Sequence, residues 1–208
     1  MDNITDPTLA GYRATYGGQV SKDNIFYYVY GLLHSPTYRT EFAADLKKML
    51  PRIPKVSDFA GFSAAGRKLA DLHIGYESVE PYPLNELVNG SADDSGLYRV
   101  KKMAFGKSGK DKDMSRIVYN SRITLTGIPE EAYRYMLGSR SAVEWIMDRY
   151  QVKTDKASGI VNDPNDWATE HDQPRYILDL LKRIVTVSIE TMKIVDDLPP
   201  LDIIEQAG

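Results

Sequence analysis

Between Arg99 and Arg122 the sequence gathers eight basic residues, Arg99, Lys101, Lys102, Lys107, Lys110, Lys112, Arg116 and Arg122, against two acids, Asp111 and Asp113, in a chain of 208 residues whose formal net charge is −3. A cationic block on an acidic background marks a local anion-binding surface rather than a general affinity for polyanions. Tyr119 and Asn120 stand in the same stretch. Carried on a two-stranded ribbon, such residues have the chemistry to enter a duplex major groove, where arginine and lysine pair with guanine edges, asparagine pairs with adenine, and further lysines hold phosphates. The expectation is one projecting ribbon that carries all ten of these side chains. Lys153, Lys156, Asn162 and Asn165, in a long polar stretch further on, are candidate additional contacts. A lysine-rich hairpin is also a common way to keep a sheet edge solvated and unpaired. Spacing alone leaves both open.

Other chemistries find little support. GKSGKDKD (Gly106–Asp113) has lysines after its glycines but no phosphate-cradling pattern. His34, His73 and His171 are far apart in sequence, and none has a partner at metal-ligand spacing. NDPNDW (Asn162–Trp167) offers carboxylate and amide oxygens without the spacing, glycine or distal glutamate of a calcium loop, and Asx turns account for its composition. No nucleophile elbow occurs, and the absence of cysteine rules out disulfides and thiolate metal sites within this chain. A hydrolase would need Asp155, Asp163, Asp166 and Glu170 to converge in a cleft. No catalytic residue and no metal ligand is expected.

The elements that must position the basic block can be read from periodicity. Residues 1–20 read as a linker or leading segment. Ser21 caps a helix with Ile25, Tyr28, Val29, Leu32 and Leu33 on one face. Pro36 opens a second, with Tyr38, Phe42, Leu46 and Leu50, and Ser57 is placed to cap a third that runs to about residue 78. The aromatic group Phe26, Tyr27, Tyr28, Tyr30 and Tyr38 has the spacing of a packing face. Residues 80–96 read as a loop and 97–126 as a β-ribbon with strands at 97–105, 116–119 and 123–126. Arg99 and Lys101 would then share one strand face. Helix is expected over 129–196, interrupted by a loop at 151–174, with Arg175 to Val195 forming a long helix central to the core, and 197–208 as a tail. The fold class is α+β, helices flanking a small antiparallel sheet or hairpin.

Four segments together resemble a known family: DNIFYYVYGLLHSPTYRTEFAADLKKMLPRIP (Asp23–Pro54), GRKLADLHIGYE (Gly66–Glu77), AVEWIMDRYQVKTDKASGIVNDPNDW (Ala142–Trp167) and PRYILDLLKRIVTVSIETMKIV (Pro174–Val195). They are similar to the C-terminal target-recognition, or specificity, domain of Type ISP restriction–modification enzymes, large bacterial helicase–methyltransferase polypeptides. The resemblance implies a recognition domain over 21–196 that reads double-stranded DNA and presents a target adenine to the methyltransferase domain of the same polypeptide. It implies no cofactor in this chain, with S-adenosylmethionine and ATP/Mg belonging to the parent enzyme, and no catalysis here; the lack of a run of roughly 20 apolar residues and the cysteine-free composition separately lead to the expectation of no membrane partner and a cytoplasmic location. The family's catalytic motifs do not carry over, since Asn162–Asn165 is not a methyltransferase NPPY tetrapeptide. An alternative is a scaffold module that docks the methyltransferase and helicase domains.

Overall fold

The structure is a computed structural model that describes residues 3–49, 51–91, 94 and 96–205. In chain order the elements are α1 (Asp6–Tyr16), α2 (Lys22–His34), α3 (Pro36–Glu41), α4 (Ala43–Lys47), β1 (Lys55–Val56), α5 (Phe59–Ile74), β2 (Asn85–Val88), β3 (Ala104–Ser108), β4 (Asp111–Val118), β5 (Ile123–Thr126), a 3₁₀ turn (Glu130–Tyr133), β6 (Met136–Leu137), β7 (Arg140–Ser141), α6 (Ala142–Arg149), β8 (Lys153–Thr154), β9 (Val161–Asn162), α7 (Asn165–Glu170), α8 (Tyr176–Asp196) and β10 (Ile203–Glu205). They form two compact units, one made of the residues up to Gly75 with those from Lys193 onward, the other of Tyr76–Met192. Among the described residues no helix is long and apolar enough to cross a membrane.

In the first unit α2 and α5 cross in close contact. A Cβ on Gly66 would lie 1.8 Å from the Tyr27 carbonyl oxygen, and one on Gly31 2.4 Å from the Phe62 carbonyl oxygen, so both helices need a bare backbone at the crossing. Tyr12, Tyr28, Tyr38, Phe59 and Phe62 form the core beside it. Three tyrosine hydroxyls fasten the connector into β1: Tyr38 donates to Arg52 O, Tyr28 to Pro54 O and Tyr16 to Val56 O. Buried phenols thereby keep a partner while their rings pack. Phe26, expected on the packing face, is instead 55% exposed.

Four sequence expectations change here. The stretch read as a leading segment holds α1, capped by Thr5 and anchored by buried Tyr12. The helix expected from Pro36 to Leu50 breaks at Phe42 into α3 and α4, and Leu50 lies outside the described residues. Asp58, not Ser57, caps α5, its carboxylate accepting from Gly61 N at 2.8 Å. From the expected tail, Ile203–Glu205 pairs with β1 as β10, while 206–208 are outside the described residues.

The second unit is built on a four-stranded antiparallel sheet in the order β2-β5-β4-β3. Ile117, Ile123 and Leu125 point from one sheet face into a core that also contains Leu178, Leu181 and Val185 of α8 and Val143 and Met147 of α6. Glu86 of β2 accepts Arg175 Nη2 at 2.9 Å and Lys182 Nζ at 2.7 Å, tying the sheet edge to α8. Burial raises the Glu86 carboxyl, but the bonds from Arg175 and Lys182 together hold it below its ordinary value.

β2 lies inside the stretch expected to be a loop. It is a strand because Asn85, Glu86, Leu87 and Val88 pair in register with Thr126, Leu125, Thr124 and Ile123. The strand expected at 97–105 is another correction: residues 97–103 are turn and irregular backbone, and β3 begins at Ala104. Of the helix expected after Pro129 only a 3₁₀ turn forms, followed by the β6–β7 hairpin, and the 151–174 stretch contains the β8–β9 hairpin and α7. The long C-terminal helix and the flanking of a small antiparallel sheet by helices are as expected.

Candidate nucleic-acid interface

The basic block divides into a clamped loop and a hairpin. In the loop, Leu97, Val100 and Met103 are buried at intervals of three, and Arg99, Lys101 and Lys102 between them face outward. The residues expected to share this surface hold it from below. Asn120 donates from Nδ2 to Leu97 O at 2.8 Å and to Arg99 O at 2.9 Å, and its Oδ1 accepts Arg122 N and Ile123 N. Tyr119, fully buried, donates its hydroxyl to Tyr98 O at 2.7 Å. Asn165, 4% exposed, bonds both Val100 N and Val100 O. Tyr119, Asn120 and Asn165 are therefore corrected from contact residues to internal supports, because their polar atoms are already engaged.

β3 and β4 form the hairpin, joined through Gly109 and Lys110. Gly109 has φ 63°, a left-handed conformation that glycine enters without a Cβ clash. Lys107 and Lys112 are cross-strand partners and project from one face with Phe105, whose ring lies 3.9 Å from Lys112 Nζ. Arg116 lies on the opposite face, against Gly106, where β4 bulges between Asp113 and Ile117. The expected single ribbon is thus corrected: Arg99, Lys101 and Lys102 lie in the loop before β3, and within the hairpin the pleat and the bulge send Arg116 away from Lys107 and Lys112.

Carboxylates also divide the set. Arg99 Nη2 meets Asp163 Oδ2 at 2.7 Å, Lys112 Nζ meets Glu144 Oε1 at 3.4 Å, and Arg122 is paired with Asp94. Burial raises the Asp163 carboxyl, but its bonds from Asn165 and Arg99 win and hold it below the usual range. Lys101, Lys102, Lys107, Lys110 and Arg116 are exposed and have no ion pair among the described residues.

Two further cations stand near the block, Lys153, already a candidate contact, and Arg140, which the sequence did not single out. Arg140 and Lys102 line the same cleft of about 230 Å³ with Phe105, Glu144 and Asp148, and Arg140 and Lys153 both pair with Asp148, at 3.1 and 3.5 Å. Arg140 sits on β7, far along the chain, and only pairing with β6 and the start of α6 bring it here. Lys156 and Asn162 are exposed on or beside the β8–β9 hairpin.

Two of the four carboxylates of the hydrolase alternative are occupied elsewhere. Asp155 Oδ1 accepts from Ala157 N, Ser158 N and Ser158 Oγ within its own turn, and Asp163 serves Arg99 and Asn165. Among the described residues no group of three or more histidine, aspartate or glutamate side chains is arranged to hold a metal ion. His34 and His73, distant in sequence, do meet in the first unit, with ring centroids 5.5 Å apart.

A family model described as the Type ISP C-terminal specificity domain matches residues 1–180. Solved structures are similar over most of the chain. A nuclease-deletion mutant of the Type ISP restriction–modification enzyme LlaGI, in complex with a DNA substrate mimic, is 46% identical with a TM-score of 0.78 over 88% of this chain and 14% of that one. The ATP-dependent Type ISP enzyme LlaBIII bound to DNA is 40% identical with a TM-score of 0.80 over 93% and 12%. DrdV in its DNA complex is 35% identical with a TM-score of 0.81 over 95% and 20%. The chain thus spans no more than a fifth of the length of these proteins. No curated protein matches. With 180 of its residues matched by one family model and its fold shared by LlaGI, LlaBIII and DrdV, the chain belongs to the Type ISP C-terminal specificity domains.

Proposed function

We propose that this chain is a double-stranded DNA recognition module of a larger restriction–modification polypeptide, and that it meets DNA through the clamped loop and the hairpin of its second unit. The observation that carries the reading is the exposed set Lys101, Lys102, Lys107, Lys110 and Arg116, without an ion pair among the described residues, in a chain of net charge −3. The DNA-bound state of the three similar enzymes supports it. Lysines on a flexible stem and Arg116 suit phosphates and guanine edges, while Lys112, Arg99 and Arg122 would have to exchange a carboxylate for the polyanion. In this proposal the parent presents a target adenine to its methyltransferase domain, drawing on ATP and S-adenosylmethionine held outside this chain, in the cytoplasm.

Charge reversal of Lys101, Lys102 and Arg116 tests it. Duplex affinity should fall, and the slope of log K against log salt should flatten by about 0.9 for each phosphate contact removed. An unchanged affinity and slope would remove these residues from the interface.

A second reading has its own observation. Ile160 and Val161 on the β8–β9 hairpin are 68% and 58% exposed, and Trp167 is 41% exposed. Large apolar side chains left in solvent suit contact with another domain of the polypeptide. Ile160→Lys with Val161→Lys should then weaken association with a separately expressed methyltransferase portion and leave duplex affinity unchanged.

A further inference from the structure

The loop that carries Arg99, Lys101 and Lys102 has no strand pairing, yet five of its carbonyls in succession are engaged. From Leu97 to Lys101 each of the five carbonyl oxygens accepts a hydrogen bond from outside the loop: from Asn120, Tyr119, Asn120 again, Asn165 and the backbone N–H of Val152. The donors come from the β4–β5 turn, the start of α7 and the segment after α6. Irregular backbone usually leaves several such groups to water. Capture of five in succession fixes the direction of every side chain between them.

Asn165 is the one donor that holds the loop at both polar atoms of a single residue. Its Oδ1 accepts Val100 N at 2.8 Å and its Nδ2 donates to Val100 O at 2.7 Å, which reproduces with one carboxamide the pairing a neighbouring strand would supply. The second Nδ2 proton goes to Asp163, whose Oδ1 also accepts Asn165 N at 2.9 Å and whose Oδ2 holds Arg99. Val100 itself is 2% exposed, so the bonds are shielded from water, while its neighbours Arg99 and Lys101 are exposed. A shielded clamp at the centre of a cationic loop spares DNA binding the entropy of ordering that loop.

We infer that Asn165 is a positioning residue for DNA binding, acting through the backbone of Val100 on the cations that flank it. The inference rests on the DNA-binding reading above and adds to it a residue that touches no DNA. A residue that only stabilised the fold would lower thermal stability without coupling to the cations, and a double-mutant cycle separates the two.

The experiment measures duplex affinity at several salt concentrations, exchange of the Val100 amide and thermal stability for N165A, for K101A/K102A and for their combination, all in this chain. Losing two shielded bonds should speed Val100 exchange and weaken affinity about tenfold in the wild-type background. In the K101A/K102A background the same substitution should lower thermal stability equally but cost less than about twofold in affinity, because the cations it positions are gone. Equal affinity losses in both backgrounds would overturn the inference, as would unchanged affinity with faster Val100 exchange. If N165A does not fold, N165S keeps a small neutral polar side chain that is too short to bridge Val100 N and O, and it enters the same cycle without adding charge. Absence of salt-dependent duplex binding by the wild-type chain would instead defeat the DNA-binding reading, and the inference with it.

Discussion

Amide side chains decide the local architecture of the candidate interface. Asn120 uses both Nδ2 protons and both lone pairs of Oδ1 on backbone groups, and Asn165 spends both Nδ2 protons, on Val100 O and Asp163 Oδ1, while its Oδ1 accepts Val100 N. An asparagine so occupied has nothing left for adenine, although its type and its neighbourhood in the sequence suit that task. Asp163 is the opposite case, a charge that subtracts from the surface. Replacing it by asparagine keeps an oxygen for Asn165 N and Nδ2 but releases Arg99. D163N should therefore bind duplex more tightly, with a salt slope steeper by about 0.9 from one added phosphate contact. Titrations at increasing salt check this, and a weaker D163N complex would mean that the acid orients Arg99 rather than masking it.

Elements are set by what they pack against as much as by their own residues. Gly66 lowers the helix propensity of α5, and in isolation reads as a defect. At the crossing with α2 it is required, since a Cβ there would meet the Tyr27 carbonyl oxygen at 1.8 Å and that oxygen belongs to a backbone that has no room to yield. G66A, favourable by propensity, should destabilise the first unit by about 1–3 kcal/mol, the range of overpacked core sites, as urea unfolding would show. An unchanged midpoint would mean the helices slide apart at no cost. β2 makes the same point for strands. NELV has four residues between turn formers, too few for a period to register, and only pairing with β5 and the ion pairs of Glu86 make it a strand.

At the scale of the molecule the two units differ in their response to acid. In the first, burial lowers both His34 and His73, and His73, also facing His34, is held down to about 4 from an ordinary 6.5. A histidine kept neutral by folding binds more protons when unfolded, so its unit loses stability as pH falls below 6.5 and the loss levels off near 4. The second unit contains carboxyls held below their ordinary values, Glu86, Glu144 and Asp163, whose contribution is present above the ordinary carboxyl range and is lost only below it. Between about pH 6.5 and the top of the carboxyl range, amides of α2 and α5 should lose hydrogen-exchange protection before those of β4 and β5. H73Q should flatten that dependence. Simultaneous loss in both units, or an H73Q chain as acid-sensitive as the wild type, would count against a histidine origin.

The sequence by itself determined the features specified by local pattern and by long matched runs: the capped α2, the apolar load of α8, the α+β class and the family. Those are interactions within a few residues, or identities along the chain, and they survive without knowledge of contacts. It also located the cations, because composition is additive along a segment. Only the tertiary structure decided which of them are available. Asp163 reaches Arg99, Glu144 reaches Lys112 and Asn165 reaches Val100 across 64, 32 and 65 positions of chain. A bulge in β4 and the alternation of the pleat then separate Arg116 from Lys107 and Lys112. Charge is a property of residues, but an unpaired and oriented charge is a property of what folding places beside it.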